Sequence, residues 1–223
     1  MTCWVVIPVK PLNRAKSRLA GFLNSEQREE LAIALFQHVL TTSLAQRRVL
    51  GTLVISRDTR ALAIAREAGA NTMQETGSPE LNLALHRAAQ VLISWGAESM
   101  LILPADLPFV AAEDLERIIE LGSQEEPCIV IATDEKHDGT NALYCRPPGL
   151  IGFTYGQGSY ERHIQRAREV AASVLFFSSD RLQHDIDHPG DLHRAQRFVQ
   201  SGVFQTTIPT ELIAMGKEGE GSS

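Results

Sequence analysis

Short apolar runs that alternate with segments of helical periodicity constrain the fold of this chain more than any other feature. Residues 4–8 are a continuous apolar run, and residues 99–103 read S-M-L-I-L; both segments are typical of strands buried on both faces of a sheet. The full pattern predicts strands at residues 4–8, 50–56, 70–74, 99–103, 128–133, 142–145 and 173–177, and helices at residues 25–42, 59–68, 81–95, 112–121, 160–171 and 189–201. This alternation predicts an α/β fold, with a three-layer α/β/α arrangement around a mostly parallel sheet.

The length of the chain fits one domain. With 223 residues and 43% hydrophobic content, the sequence can bury one core, which we assign to residues 1–205. Residues 216–223 read G-K-E-G-E-G-S-S and hold few apolar side chains. We therefore expect a C-terminal tail over residues 206–223 that is largely disordered.

Charge, apolar run length and cysteine content limit the partners and the compartment. The formal net charge of −6 lacks the basic excess of duplex-binding proteins, so we expect no nucleic-acid partner. The apolar runs are too short to span a membrane. Cys3, Cys128 and Cys145 show no metal-ligand spacing, and no secretory signal is recognised. We expect buried, reduced cysteines and a cytoplasmic protein. Small α/β enzymes often form homodimers, and this sequence is compatible with one.

A basic segment follows the first predicted strand. It carries Lys10, Arg14, Lys16 and Arg18 within nine residues, and such cations repel one another unless an anion neutralises them. Ligands of parallel α/β sheets bind outside the carboxyl ends of the strands, so a triphosphate would fit here. The alternative is a solvated basic face. The segment contains neither a Walker A motif nor G-x-G-x-x-G.

Two acidic loops follow later strands. Asp106 lies in L-P-A-D-L-P after the strand predicted at residues 99–103, and Asp187 lies in D-I-D-H-P-G-D-L before the last helix. Because Mg²⁺ takes one or two carboxylates plus phosphate oxygens, this pair predicts a magnesium site. Alternatively, Asp187 caps the following helix. A transition-metal site that joins His184 and His188 to Asp185 or Asp187 is a further alternative.

Two loops of small residues predict an anion site for an acceptor. Residues 138–141 read D-G-T-N, and residues 155–159 read Y-G-Q-G-S directly before a helix. A helix N-terminus favours an anion, so Thr140, Gly156, Gly158 and Ser159 are candidates to bind a phosphate or carboxylate. Arg162, His163 and Arg166 follow, and we expect them to add positive charge. The alternative for both loops is an ordinary turn.

A third loop, at residues 75–85, could border a nucleotide base. Glu75 can accept a hydrogen bond from a guanine amino group, and the Asn82 amide can bond to a base edge. The alternative for Asn82 is a place in the first turn of the following helix.

Several of these segments together resemble a known family. The segments P-V-K-P-L-N-R-A-K-S-R-L, L-P-A-D-L-P, D-G-T-N-A-L, Y-G-Q-G-S and D-I-D-H-P-G-D-L occur in this order. They resemble the 2-phospho-L-lactate or phosphoenolpyruvate guanylyltransferases of coenzyme F-420 biosynthesis. The resemblance covers residues 5–192. L-P-A-D-L-P is shared with nucleotidyltransferases for sugars and for molybdenum cofactor.

The resemblance implies a nucleotide-diphospho-sugar transferase-like fold, GTP as the donor and Mg²⁺ as the metal. An acceptor phosphate would attack the α-phosphorus and release pyrophosphate. The implied roles are catalytic for Lys16, Asp106 and Asp187; metal-binding for Asp106 and Asp187; nucleotide-binding for Pro8, Val9, Lys10, Arg14, Lys16, Glu75, Asn82, Pro104 and Ala105; and acceptor-binding for Thr140, Gly156 and Ser159. The acceptor phosphate is already an oxyanion, so positioning and charge neutralisation carry the rate.

Four alternatives stay open at this point. The chain lacks the G-x-G-T-x-[MR] loop of the wider superfamily, which disfavours a sugar or molybdopterin nucleotidyltransferase. A glycosyltransferase of the same fold would need a D-x-D near the fourth strand, where this chain offers Asp106 alone. A non-catalytic nucleotide-binding module would need no second acidic loop. A guanylyltransferase for 3-phosphoglycerate is the fourth, although phosphoenolpyruvate is favoured as the acceptor.

Overall fold

The computed structural model describes residues 2–76 and 80–214, in which a seven-stranded sheet forms the centre. The strands are β1 (Cys3–Val9), β2 (Val49–Ser56), β3 (Asn71–Gln74), β4 (Ser99–Ile102), β5 (Cys128–Thr133), β6 (Thr140–Arg146) and β7 (Ser173–Phe176). Their order in the sheet is β3-β2-β1-β4-β6-β5-β7. All pairs are parallel except those of β6, which runs antiparallel to β4 and β5. The prediction of a mostly parallel sheet is confirmed.

Helices cover both faces of this sheet. They are α1 (Ser25–Ala45), α2 (Thr59–Glu67), α3 (Leu81–Ser94), α4 (Ala112–Ser123), α5 (Ser159–Glu169), α6 (Pro189–Gln200) and α7 (Thr210–Ala214). One buried cluster joins the sheet to α1, α2 and α4, and a second joins its other face to α3 and α5. The three-layer α/β/α prediction is therefore confirmed, and burial of these two clusters dominates the stability of the fold.

The helix ends follow from local chemistry. Asn24 caps α1 with a reciprocal pair of hydrogen bonds: its side chain accepts from the Gln27 N–H at 2.9 Å, and the Gln27 side chain accepts from the Asn24 N–H at 2.9 Å. Gly69 and Gly96 follow α2 and α3 with φ of 92° and 77°, a conformation that glycine adopts at little cost.

The antiparallel strand β6 decides which loops meet. The carboxyl ends of β1, β4, β5 and β7 lie at one edge of the sheet, and the reversed direction of β6 brings its first residue, Thr140, to that same edge. The loop between β5 and β6 is thereby placed beside the loops that follow β1, β4 and β7. This is the edge at which α/β sheets bind ligands.

The C-terminal segment differs from the predicted tail. Residues 210–214 form α7, and Ile208 and Ile213 are buried against α1 and α6 in a third apolar cluster. The first part of the segment at residues 206–223 is therefore packed on the domain, because Ile208 and Ile213 bury apolar surface there. The remainder, residues 215–223, lies outside the described residues.

The prediction of buried, reduced cysteines agrees with the structure. Cys3, Cys128 and Cys145 are buried and free of disulfides. Burial raises the pKa of the Cys3 thiol to about 12, which keeps it protonated and unreactive. Among the described residues, no helix combines the length and apolar character needed to cross a bilayer.

Candidate active site

Asp106 lies in the loop after β4, at the carboxyl edge of the sheet. Its main-chain carbonyl accepts a hydrogen bond from the Ile186 N–H at 3.3 Å, which joins this loop to the one that carries Asp185 and Asp187. Pro104 and Pro108 restrict the backbone on either side. The two acidic loops that the sequence predicts as one site are therefore in direct contact.

Asp187 is not the cap of the last helix. The N-cap of α6 is His188, and Asp191 supplies the capping carboxylate to the His188 N–H at 2.7 Å and to the Asp187 N–H at 3.1 Å. The alternative interpretation of Asp187 as a capping residue is thus wrong. Its side chain is instead held by Lys16 and Arg18.

Three carboxylates form a cluster at this edge. Asp106, Asp185 and Asp187 each offer an oxygen, and these oxygens lie within 4.8 Å of one another. Burial, with Asp106 and Asp187 close by, raises the pKa of Asp185 to about 7. Like charges gathered this closely are costly unless a cation joins them, so the oxygen set fits a hard divalent cation.

The transition-metal alternative receives no such support. Within residues 2–76 and 80–214, the cluster that could hold a metal contains aspartates alone. The His184 ring stacks on Phe198 at a centroid distance of 4.9 Å, and the His188 side chain is exposed.

Lys16 lies against the carboxylate cluster. Its Nζ donates to Asp106 Oδ2 at 3.0 Å and to Asp187 Oδ1 at 3.3 Å, and its side chain is only 6% exposed. Burial alone would lower the pKa of this lysine, but the two carboxylates outweigh burial and raise it. Lys16 is therefore a buried, fully charged cation at the site.

The backbone at Lys16 is itself unusual. With φ of 54° and ψ of 34°, the residue is left-handed between two short 3-10 turns, Leu12–Arg14 and Ser17–Leu19. A non-glycine residue in this region costs free energy that the rest of the fold must offset. The ion pairs with Asp106 and Asp187 supply such an offset and aim the side chain into the site.

The other cations of the basic loop remain near the surface. Arg18 donates to Asp187 Oδ2 at 3.0 Å, while the side chains of Lys10 and Arg14 are exposed. Burial opposes ionisation of Asp187, but Lys16, Lys10 and Arg18 together hold its pKa below the usual range. The loop is anchored by the Leu12 N–H, which donates to Asp58 Oδ2 at 2.8 Å.

The remaining predicted nucleotide ligands fall at two places. Pro8 and Val9 end β1, and Pro104 and Ala105 follow β4, its neighbour in the sheet, so these four lie beside the acidic cluster. Glu75 lies after β3, further along the same edge, where Arg57 Nε approaches its Oε2 to 3.6 Å. Part of the loop predicted to border the base, residues 77–79, lies outside the described residues.

Asn82 has a structural partner. Its Oδ1 accepts from the Tyr155 N–H at 2.8 Å, and its Nδ2 donates to the Tyr155 carbonyl at 3.3 Å. The Asn82 amide thus joins the first turn of α3 to the predicted acceptor loop at residues 155–159. The sequence predicts that the same amide contacts a nucleotide base.

The two predicted acceptor loops meet each other and the acidic cluster. Asp138 Oδ1 accepts from the Gly158 N–H at 3.0 Å, and the Asp138 carbonyl accepts from the Tyr160 N–H at 3.2 Å. Asp138 and Gln157 line one cavity of about 300 Å³ together with Asp185 and Asp187. A small anion bound in this cavity would lie between the acceptor loops and the carboxylates.

The predicted acceptor ligands Thr140 and Ser159 are buried, and each lies two residues after a residue that lines this cavity, Asp138 or Gln157. They are 4% and 1% exposed, and their hydroxyl oxygens are 3.0 Å apart. Gly156 and Gly158 have φ of 121° and 68°, so the turn that leads to Ser159 needs glycine at both positions. The loop is a turn of specific geometry at the start of α5.

His163 does not add the positive charge that the sequence predicts. Its side chain is fully buried, and burial with Arg162 nearby lowers its pKa to about 4, so the imidazole is neutral. Arg162 instead donates to the carbonyl oxygens of Thr154 and Gln157, and Arg166 pairs with Glu169. The three side chains therefore brace the loop and the helix.

Asp185 is the site residue that the sequence prediction omits from its metal ligands. It stands two positions before Asp187, and in extended backbone such residues point to the same side. The D-I-D spacing was therefore the available signal. Asp138 and Gln157 are further omissions, although both lie in the two loops, D-G-T-N and Y-G-Q-G-S, that the sequence predicts as the acceptor site.

Comparison with known proteins identifies the same family of guanylyltransferases that the sequence motifs resemble. The family model described as "Guanylyl transferase CofC like" matches residues 3–196. A phosphoenolpyruvate guanylyltransferase of Rubrobacter xylanophilus is 36% identical over 198 residues, which cover 88% of this chain and 94% of the relative. A 2-phospho-L-lactate guanylyltransferase of Methanocaldococcus vulcanius is 31% identical over 189 residues, which cover 84% and 81%.

Solved structures support the fold. A protein described as a nucleotide-diphospho-sugar transferase from Desulfovibrio desulfuricans superposes with a TM-score of 0.76 and 16% identity, covering 96% of this chain and 93% of that one. A likeness at this level of identity establishes architecture alone. Because the family model matches most of the chain and both relatives exceed 30% identity, the chain belongs to the guanylyl transferase CofC-like family.

Proposed function

We propose that this protein transfers the guanylyl group of GTP to the phosphate of a small phosphorylated carboxylic acid. An oxygen of the acceptor phosphate forms a bond to the α-phosphorus of GTP, the bond between the α-phosphorus and its bridging oxygen to the β-phosphorus breaks, and pyrophosphate leaves. The observation that carries the proposal is a single cavity lined by Asp185 and Asp187 together with Asp138 and Gln157 of the acceptor loops.

Asp106 and Asp187 would hold Mg²⁺, and we add Asp185 as a third carboxylate. Their oxygens lie within 4.8 Å of one another and are the hard ligands that this ion prefers. When bound, Mg²⁺ supplies neutralisation of charge on the reacting phosphates. The lysine at this site, Lys16, would turn from the carboxylates to the triphosphate as the metal takes over their charge.

The basic loop would hold the donor. Lys10, Arg14 and Arg18 are exposed around the buried Lys16, so a triphosphate can approach them without displacing a core side chain. Arginine grips phosphate oxygens through a planar fork, whereas lysine acts as a compact charge. Pro8, Val9, Pro104 and Ala105 would line the nucleotide at the ends of β1 and β4, with Glu75 and Asn82 toward the base.

The acceptor would bind at the loops around Thr140, Gly156 and Ser159. A phosphorylated acid is small and anionic, and a cavity of about 300 Å³ suits a molecule of that size. Because the acceptor phosphate is itself the nucleophile, the protein needs to bring two anions together and neutralise them. No side chain of the site is needed to form a covalent bond.

Phosphoenolpyruvate is our favoured acceptor. A relative that shares 36% of aligned residues carries that name, and one named for 2-phospho-L-lactate shares 31%. The product of either reaction would serve coenzyme F-420 biosynthesis. We further propose a single domain that works in the cytoplasm as a homodimer; light scattering after gel filtration tests the last point, and a monomer mass would overturn it.

A panel of donors and acceptors tests the function. Purified protein is mixed with Mg²⁺, GTP or ATP, and phosphoenolpyruvate, 2-phospho-L-lactate or 3-phosphoglycerate, and pyrophosphate release is measured. We expect release with GTP and phosphoenolpyruvate, and none after chelation of the metal. Absence of pyrophosphate in every combination would contradict the transferase, whereas release with GTP and 3-phosphoglycerate alone would change the acceptor.

A further inference from the structure

His163 joins three segments of the acceptor site through its two ring nitrogens. Nε2 lies 3.0 Å from the backbone nitrogen of Thr154, and Nδ1 lies 3.0 Å from the Thr140 hydroxyl oxygen. The Thr140 hydroxyl in turn lies 3.0 Å from that of Ser159. One buried imidazole therefore links the start of β6, the start of α5 and the loop between residues 153 and 159.

These contacts fix which nitrogen carries the proton. A backbone N–H can only donate, so Nε2 must accept from Thr154. A neutral imidazole with Nε2 as the acceptor carries its hydrogen on Nδ1. Nδ1 therefore donates to the Thr140 hydroxyl oxygen. The lowered pKa of His163, about 4, is consistent with this neutral form at ordinary pH.

A count of hydrogens shows what the network leaves over. Nδ1, Thr140 and Ser159 bring three hydrogens, one each on the nitrogen and the two hydroxyls. The two contacts among these groups use two of them: one from Nδ1 to Thr140, and one between the hydroxyls. One hydroxyl hydrogen of the Thr140–Ser159 pair therefore remains available, and a buried donor needs an acceptor.

The surroundings of the pair indicate where that acceptor lies. Asp138 and Gln157, each two residues before one of the hydroxyls, line the cavity that also holds Asp185 and Asp187. Thr140 and Ser159 are 4% and 1% exposed, so a ligand would have to reach past Asp138 and Gln157 to meet their hydroxyls. A hydrogen bond to an anionic oxygen is strong where water is excluded.

We propose that His163 is a positioning residue for the acceptor: its Nδ1–H, donated to Thr140, directs one hydroxyl hydrogen of the Thr140–Ser159 pair to an anionic oxygen of the acceptor. The proposal rests on the proposed function, because it assigns the role to the acceptor half of that reaction. His163 itself touches neither substrate. It acts through Thr140 and Ser159 and through the Thr154 backbone.

Two matched substitutions separate the two ring contacts. In His163→Asn, the amide nitrogen takes the place of Nδ1 and still donates to Thr140, while the contact to Thr154 is lost. In His163→Gln, the amide oxygen takes the place of Nε2 and still accepts from Thr154, while the donor to Thr140 is lost. Initial rates give KM for the acceptor and for GTP, and thermal unfolding shows whether each variant is folded.

The proposal predicts a split between the two substrates. His163→Gln should raise KM for the acceptor about tenfold, because Thr140 no longer receives the Nδ1 hydrogen and the remaining hydroxyl hydrogen is free to turn away from the acceptor, with KM for GTP within twofold of the wild type. His163→Asn should keep KM for the acceptor within about threefold. Equal KM for the acceptor in wild type and His163→Gln, or equal rises for acceptor and GTP, would overturn the proposal.

A second test uses the wild-type protein alone, so its result does not depend on whether a variant folds. Nitrogen-15 spectra of the histidine ring should show Nδ1 protonated and Nε2 unprotonated at pH 7, and phosphoenolpyruvate should shift the Nδ1 signal while GTP leaves it unchanged. A proton on Nε2 would overturn the proposal. If the wild type transfers guanylyl groups but the acceptor leaves Nδ1 unmoved, this inference fails alone; if no acceptor supports pyrophosphate release, the proposed function fails as well.

Discussion

Lys16 Nζ lies 3.0 Å from Asp106 Oδ2, joining residues 90 positions apart in the chain. The pair ties the loop after β1 to the loop after β4, and the same ammonium also reaches Asp187 at 3.3 Å. One cation thus holds together the basic and acidic halves of the proposed site. Without a divalent ion, Lys16 is the buried charge that makes the cluster of Asp106, Asp185 and Asp187 tolerable.

Lys16→Met keeps the length of the side chain and removes its charge. We expect the free energy of unfolding in the presence of a chelator to fall by about 1–3 kcal/mol, because the carboxylates lose their buried partner. Mg²⁺ should restore part of this loss, since the ion supplies the missing charge. Urea unfolding with and without Mg²⁺ measures both effects.

Lys10→Met is the matched control, because Lys10 belongs to the same loop but its side chain is exposed. Its free energy of unfolding should stay within about 0.5 kcal/mol of the wild type. An equal loss in the two variants, or a loss in Lys16→Met that Mg²⁺ does not reduce, would contradict the assigned role of the buried lysine.

Asp185→Asn should have the opposite effect on stability. Burial and the neighbouring carboxylates disfavour the charge of Asp185, so removing it relieves repulsion and should leave the metal-free protein as stable as the wild type or up to about 1 kcal/mol more stable. Affinity for Mn²⁺, followed by electron paramagnetic resonance, should fall at least tenfold. A variant with wild-type metal affinity would remove Asp185 from the proposed ligand set.

Much of this arrangement could be predicted from the sequence, because it depends on local patterns. The runs at residues 4–8 and 99–103 identify β1 and β4, and the ends of these strands place Lys16 and Asp106 at one edge. The capping box at Asn24 fixes where α1 begins. The motif at residues 185–192 indicates the second acidic loop but not which of its aspartates face Asp106.

Other features depend on contacts between distant segments. The reversed direction of β6, which brings Thr140 to the site, follows from its pairing with β4 and β5 and leaves no local signal. His163 lies between Arg162 and Arg166 in the sequence, yet its neutral state depends on burial by distant segments, with Arg162 nearby. Likewise, Ile208 and Ile213 order the start of the predicted tail by packing against α1 and α6.

The neutral state of His163 predicts how stability changes with acid. The pKa of His163 is about 4 in the folded protein, whereas an ordinary histidine, as in the unfolded chain, has a pKa of 6.5. As pH falls, the unfolded chain therefore binds the extra proton first. This group's contribution is intact above pH 6.5 and is lost toward pH 4. From pH 7 to pH 5, it should cost the wild type about 2 kcal/mol of unfolding free energy.

His163→Asn removes this titration and provides the comparison. His38, whose pKa burial also lowers, remains in both proteins, so the difference between their pH dependences isolates His163. Urea unfolding at pH 7 and pH 5 should show a loss that is smaller in the variant by about 2 kcal/mol. Equal losses in the two proteins would show that His163 is not buried in its neutral form.

Gly122 tests the packing between α4 and the sheet. A Cβ added at this helical position would overlap the ring of Tyr144, which is fully buried in β6. Gly122→Ala should therefore destabilise the fold by about 1–3 kcal/mol, although alanine is the better helix former. Gly190→Ala in α6, where a Cβ meets open space, should be neutral or stabilising by thermal unfolding. The same loss in both variants would contradict the tight contact with Tyr144.

Phosphorus-31 spectroscopy tests guanylyl transfer most directly, because it reports the bond that is formed. Wild-type protein is incubated with Mg²⁺, GTP and phosphoenolpyruvate, beside Asp106→Asn under the same conditions. We predict a pair of mutually coupled signals from a new diphosphate bridge between guanosine and the acid, in amounts equal to the pyrophosphate released, and neither product from Asp106→Asn at comparable stability. Hydrolysis of GTP without a bridged product, or full activity of Asp106→Asn, would contradict the account.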